Sequence, residues 1–162
     1  MKLAQDGIVK GVSESRFAPN KKLTRAEFLS LLMRGIQVTG KNELPMDVDV
    51  SSWYATEVAK AVAAGVISTD AFRPNDFITR EEMCQMLVKG YEYAKGTIEQ
   101  GDVASFTDRS LIGDFDTVSK AYTLGLMQGR DDGSFGPQSG ATRAEAAVLL
   151  HSLKKHLEGG AN

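Results

Sequence analysis

The stretch Leu23-Thr24-Arg25-Ala26-Glu27-Phe28 recurs as Ile78-Thr79-Arg80-Glu81-Glu82-Met83 and again as Ala141-Thr142-Arg143-Ala144-Glu145-Ala146. A segment that returns twice at long spacing commits the chain to three copies of one structural unit. In each copy Thr followed three positions later by Glu forms a capping box. The hydroxyl accepts from the N3 amide while the carboxylate reaches back to the N-cap amide. Each copy therefore begins a helix. The flanking pairs, Leu23 with Phe28, Ile78 with Met83 and Ala141 with Ala146, occupy the positions of a hydrophobic staple, weakest in the third copy where both are alanine.

Capping leaves the arginine unexplained. Arg25, Arg80 and Arg143 stand at N1, beside the positive end of the helix macrodipole, where Asp, Glu or Pro is the ordinary choice. A structural reading lays the arginine stem over apolar surface and pairs its head with a nearby carboxylate such as Glu81 or Asp76. A functional reading sets the guanidinium beside free helix-terminal amides as a site for an anionic ligand group.

The intervals between the capping threonines, 55 and 63 residues, suit two helices and a long loop per copy. Seven residues before each Thr stands a Phe (Phe17, Phe72, Phe135) that opens a Phe-x-Pro triplet; the Pro breaks any helix and the Phe is expected to plug the loop onto the core. Further upstream each copy carries Gly and two apolar residues: Gly7-Ile8-Val9, Gly65-Val66-Ile67 and Gly125-Leu126-Met127. The Gly marks the C′ position ending a front helix. In the second copy that helix is expected over Ser52 to Ala64, with Asp49, Ser51 or Ser52 as cap; in the third it follows Asp114 or Asp116. Only Met1 to Asp6 precede Gly7, so the first front helix is expected to be partial. After each cap an apolar stripe (Phe28, Leu31, Leu32; Met83, Met86, Leu87; Ala146, Leu149, Leu150) predicts a core-facing helix. These helices are expected to run to Thr39-Gly40, Gly96 and Gly159-Gly160, with Lys41 to Pro45 and Glu99 to Ser105 as linkers.

Composition narrows the function. A formal net charge of -2 gives no electrostatic footprint for nucleic acid or an anionic membrane surface. No apolar run approaches the roughly 18 residues of a membrane span, and the N-terminus has no signal-peptide apolar core, so membrane insertion is not expected and export would depend on sequence absent here. The single cysteine, Cys84, excludes an internal disulfide and is read as packing. No metal, cofactor or catalytic residue is assigned. Asp131-Asp132-Gly133 lacks the alternating oxygen ligands and final Glu of a calcium loop, and His151 and His156 point to different helix faces. Glu27, Glu82 and Glu145 are consumed by capping rather than poised as a glycosidase pair, and no Ser/His/Asp set or phosphate loop appears.

The order of front helix with Trp53, Gly-aliphatic-aliphatic, Phe-x-Pro and Thr-Arg-x-Glu resembles three tandem S-layer homology (SLH) repeats. The strongest matches are Gly125 to Phe135, the three Thr-Arg-x-Glu segments and the opening Phe106-Thr107-Asp108. Repeat two departs, with Pro45-Met46-Asp47 at its opening and a loop, Ser68 to Ala71, three residues shorter; repeat three has Gly113 near where repeat two has Trp53.

The resemblance implies an all-α fold of three pseudo-symmetric helix-loop-helix repeats, 1–42, 43–100 and 101–162, arranged as a trefoil or spindle around a central three-helix bundle. It implies a non-catalytic, secreted module that anchors an S-layer or surface protein to the bacterial cell wall. The implied partner is secondary cell wall polysaccharide, a peptidoglycan-linked glycan often ending in a pyruvylated amino sugar, held in grooves between repeats. It also implies that Arg25, Arg80 and Arg143 belong to the binding apparatus. Trp53, Gly11, Gly129 and Asp131 are further groove candidates, and the grooves are expected to be unequal. The alternatives are a self-assembly module of a surface layer and an accessory module of a wall-associated glycoside hydrolase.

Overall fold

The computed structural model describes residues 21–99 and 106–159; Gly7, Gly11, Phe17 and the partial front helix expected before Gly7 lie outside the described residues. Five α-helices carry the fold: α1 (Arg25–Arg34), α2 (Ala55–Ala63), α3 (Arg80–Lys95), α4 (Phe115–Leu124) and α5 (Arg143–Gly159), with a 3-10 turn at Arg109–Leu111. Only isolated bridges occur between extended segments, so the described chain is all-α, as expected.

All three capping boxes form. Glu27, Glu82 and Glu145 donate their amides to Thr24, Thr79 and Thr142 Oγ1 at 3.1, 3.1 and 3.2 Å, and each Glu Oε1 takes the threonine amide at 2.8 to 3.1 Å. The staple residues Leu23, Phe28, Ile78, Met83, Ala141 and Ala146 are all buried. Immediately before the boxes the three copies close on one another in a ring. Leu23 N–H donates to Ala141 O (3.1 Å), Ala141 N–H to Ile78 O (3.0 Å) and Ile78 N–H to Leu23 O (2.9 Å). Below this ring α1, α3 and α5 form the central bundle; α2 packs on α1 and α4 on α3, so each of these front helices lies on the central helix of the preceding repeat.

The helix-terminal amides are not free, contrary to the functional reading of the arginines. The N1 amides of Arg25, Arg80 and Arg143 donate to the carbonyls of Asp76, Ser139 and Lys21 at 2.8 to 2.9 Å. Those of Ala26 and Glu81 donate to Pro74 and Pro137. Each carbonyl comes from the adjoining repeat's loop and takes the place an anion would fill.

The two described Phe-x-Pro loops are held by the aspartate that opens their repeat. Asp47 accepts the Phe72 and Arg73 amides at 2.8 Å each, and Asp108 accepts those of Phe135 and Gly136 at 2.9 and 2.8 Å. Phe72 and Phe135 are thereby seated as fully buried plugs. The x position of the triplet is left-handed in both loops, with φ 71° at Gly136 and 56° at Arg73, a conformation that strains a non-glycine residue.

Several helix ends differ from the sequence expectation. α2 begins at Ala55, three residues late, because Asp49 folds onto the Ser51 amide and hydroxyl (2.8 and 2.7 Å) instead of capping a helix; Tyr54 takes the N-cap position with no side-chain bond. α1 stops at Arg34, where Gly35 caps it and the chain turns so that Ile36 lies on α3. A Cβ added to Gly90 of α3 would lie 2.7 Å from Ile36 Cδ1. Asp114 does cap α4, accepting the Thr117 amide at 3.1 Å, and Gly125 ends it at φ 84°. Cys84 is fully buried with its thiol toward Thr117 O; burial, then the Asp114 and Glu81 charges, push its pKa far up, as fits a packing residue.

Candidate functional site

Each N1 arginine turns away from its own helix and crosses to the next repeat. Arg25 Nη1 lies 2.7 Å from Glu82 Oε2, Arg80 Nη1 2.6 Å from Glu145 Oε2, and Arg143 Nη2 3.0 Å from Glu27 Oε2. The partner is thus the capping glutamate of the neighbouring copy, not Glu81 or Asp76. One carboxylate oxygen caps its own helix while the other receives an arginine from the adjoining repeat. Arg25 and Arg80 also donate from Nε to Phe72 O (2.7 Å) and Phe135 O (2.8 Å), with each guanidinium 5.2 Å from the centre of that ring. The cation is tolerated at N1 because its head lies on a carboxylate, a carbonyl and a ring face beyond the helix end.

Glu82 carries a second cation, Arg73 Nη2 at 2.8 Å. Burial pushes its pKa up, but the Thr79 amide, the Arg25 charge and Arg73 outweigh that, so the carboxyl titrates below its ordinary value. Glu81 is committed elsewhere. Its buried carboxylate accepts the Gly113 and Asp114 amides at 3.0 and 2.8 Å, setting the start of α4. A Cβ at residue 113 would lie 3.1 Å from Glu81 Oε2, which accounts for Gly at the position matched by Trp53 in repeat two.

Two clefts open where these latches meet the surface. The first, about 230 Å³, lies between repeats one and two and is lined by Arg25, Ser68, Asp70, Glu82, Gln85 and Lys89, among others. The second, about 320 Å³, lies between repeats two and three and is lined by Arg80, Met127, Gln128, Glu145, Val148 and Leu149. Arg25 and Arg80 are therefore ion-paired and yet form cleft walls. Arg143, 4% exposed in its side chain, rests on Glu27.

The other sequence candidates fall outside these clefts. Trp53 is 62% exposed and meets Tyr54 edge-on, ring centres 5.2 Å apart. Gly129 has no left-handed backbone; its Cα packs on Phe106, whose Cε1 would lie 2.8 Å from an added Cβ. Asp131 is exposed on the same loop, and Gly11 is outside the described residues.

The S-layer homology domain pattern matches residues 1–29, 47–84 and 105–147 of the chain. The chain belongs to the S-layer homology family. It is 36% identical over 158 residues to an amylopullulanase of Thermoanaerobacterium thermosulfurigenes and to exoglucanase XynX of Acetivibrio thermocellus. It is 25% identical over 157 residues to the surface-layer 125 kDa protein of Lysinibacillus sphaericus. These alignments cover 93%, 93% and 91% of the chain but only 8%, 14% and 13% of the relatives' lengths. Membership in the S-layer homology family makes it a wall-anchoring module of the bacterial cell surface. No helix among the described residues is long and apolar enough to cross a membrane.

Within the S-layer homology repeats, sequence reasoning missed the cleft walls contributed by the central helices. Gln85 and Lys89 of α3, and Val148 of α5, flank the stripe residues Met86 and Leu149 and follow the capping Glu82 and Glu145 at i+3 and i+7. That periodicity was the available signal.

Proposed function

We propose that this module holds its parent protein to the cell wall by binding an anionic, pyruvate-bearing secondary cell wall polysaccharide in the clefts between repeats. The observation that carries the reading is Arg25 in the first cleft. Its Nε and Nη1 are fixed by Phe72 and Glu82, and Nη2 makes no hydrogen bond among the described residues. A guanidinium already oriented by protein contacts loses little freedom when it receives a ligand carboxylate. Calorimetry with a short pyruvylated wall-polymer fragment and its depyruvylated counterpart tests this. Clear preference for the pyruvylated fragment is expected; equal binding of both would sink the carboxylate reading.

A second reading, lateral association within a surface layer, is favoured by Met46, Val50 and Trp53, all more than half exposed on the approach to α2. Concentration-dependent association without polysaccharide is its signature. The cargo is proposed from the relatives, two named as polysaccharide-degrading enzymes and one as a surface-layer protein. In either setting the repeats themselves act as a tether and not as a catalyst.

A further inference from the structure

Resting on the polysaccharide reading above, we infer that the two described clefts select different sugar faces. The first takes a carboxylate-bearing sugar through Lys89 and Arg25, and the second takes an uncharged, methyl-bearing face.

The argument begins with matched positions on matched helices. Counted from the capping threonines, Gln85 of α3 corresponds to Val148 of α5, and Lys89 to Ser152. A side-chain amide and an ammonium in the first cleft are replaced by an isopropyl group that is 66% exposed and by a short hydroxyl. The facing loops differ less, since Ile67 and Ser68 of the first cleft match Met127 and Gln128 of the second. Asp70 lines only the first cleft, where its carboxylate accepts from the Ser68 hydroxyl at 3.2 Å.

The arginines differ too. Arg80 is bound through all three nitrogens, to Phe135 O, Glu145 and Gln128 O, the last at 3.2 Å. Arg25 keeps Nη2 in hand. Lys89 is exposed and makes no hydrogen bond or ion pair among the described residues, while the Glu82 carboxylate beside it is already matched by Arg25 and Arg73. The first cleft thus offers two cationic groups with unused donors. The second presents Val148 and Leu149 over the buried Met127, with its one cation fully engaged. Apolar walls around a spent guanidinium favour a methyl or ring-carbon face and penalise an uncompensated carboxylate.

The test is a residue-resolved amide NMR titration with two probes. One is the methyl glycoside of an N-acetylhexosamine carrying a pyruvate ketal; the other is the methyl ester of that compound, which keeps the shape and removes the charge. The acid is expected to move the Gln85 and Lys89 signals and to bind the first cleft about tenfold more tightly than the ester. Both probes are expected to move Val148 and Leu149 alike. Lys89→Ala, at an exposed position, is expected to weaken the acid at the first cleft about three- to tenfold and to leave the Val148 response unchanged. Acid affinity at the first cleft that is unchanged by Lys89→Ala, or an acid-over-ester preference as large at Val148 as at Lys89, overturns the division while sparing the parent reading. Failure of both probes to bind either cleft removes both.

Discussion

Arg80 stands at the positive end of α3 with its side chain 9% exposed, a placement that electrostatics disfavours until its head is followed across the interface to Glu145, Phe135 O and Gln128 O. Arg80→Ala would strand that carboxylate oxygen and two carbonyls, and is expected to destabilise the fold by about 3 kcal/mol. Arg80→Lys should recover less than half, because an ammonium cannot serve three acceptors in one plane. Urea denaturation checks both. A loss under about 0.5 kcal/mol for the alanine variant would mean that the pair behaves as an ordinary surface ion pair. The anomaly of a cation at N1 was legible in the sequence; its partner was not. Spacing rules reach three or four residues along a helix, whereas Glu145 is supplied by a different repeat, so local reasoning proposed Glu81 and Asp76 instead.

At the scale of elements, the Phe-x-Pro loops hang from Asp47 and Asp108. Burial pushes the Asp108 carboxyl up, but the amides of Phe135, Gly136 and Asp108 itself, with the Arg130 charge, hold it below the ordinary aspartate value of 3.8. Asp47 is lowered in the same way by Phe72, Arg73, its own amide and Arg25. A carboxyl lowered by folding contributes stability that is fully present above its unfolded value and disappears as pH falls through the folded one. The melting temperature is therefore expected to hold from pH 7 to 5 and to drop below about pH 4. Asp108→Asn keeps one acceptor of two, and should cost about 1 kcal/mol at pH 7 and give a shallower acid limb. Thermal melts across that range decide it; an unchanged acid limb would assign the pH dependence to other groups. The capping boxes and plugs were readable because each is a short pattern with its own chemistry. The ends of α1 and α2 were misplaced because Ile36 packing on Gly90, and the Asp49 turn onto Ser51, depend on contacts that no helix-end rule contains.

For the molecule as a whole, every repeat supplies groups that its neighbour needs, unlike an open solenoid in which interior units contact only the adjacent ones and end units are capped. A single cooperative transition is expected. Labelling of Cys84, buried in repeat two, should follow the same denaturant midpoint as helix loss by circular dichroism. Labelling well before helix loss would show that repeats open separately. The three-fold plan was legible because the Thr-Arg-x-Glu segment returns. The inequality of the clefts was expected only in outline, since it resides in Gln85 against Val148 and Lys89 against Ser152, positions off the apolar stripe. The contact between Arg143 N–H and Lys21 O fastens the third copy directly to the first. A tether built this way is a closed loop of chain rather than a string of beads. Tension between cargo and wall must shear that seam before it can lengthen the chain, so the anchor should resist pulling as one knot and then yield in a single step.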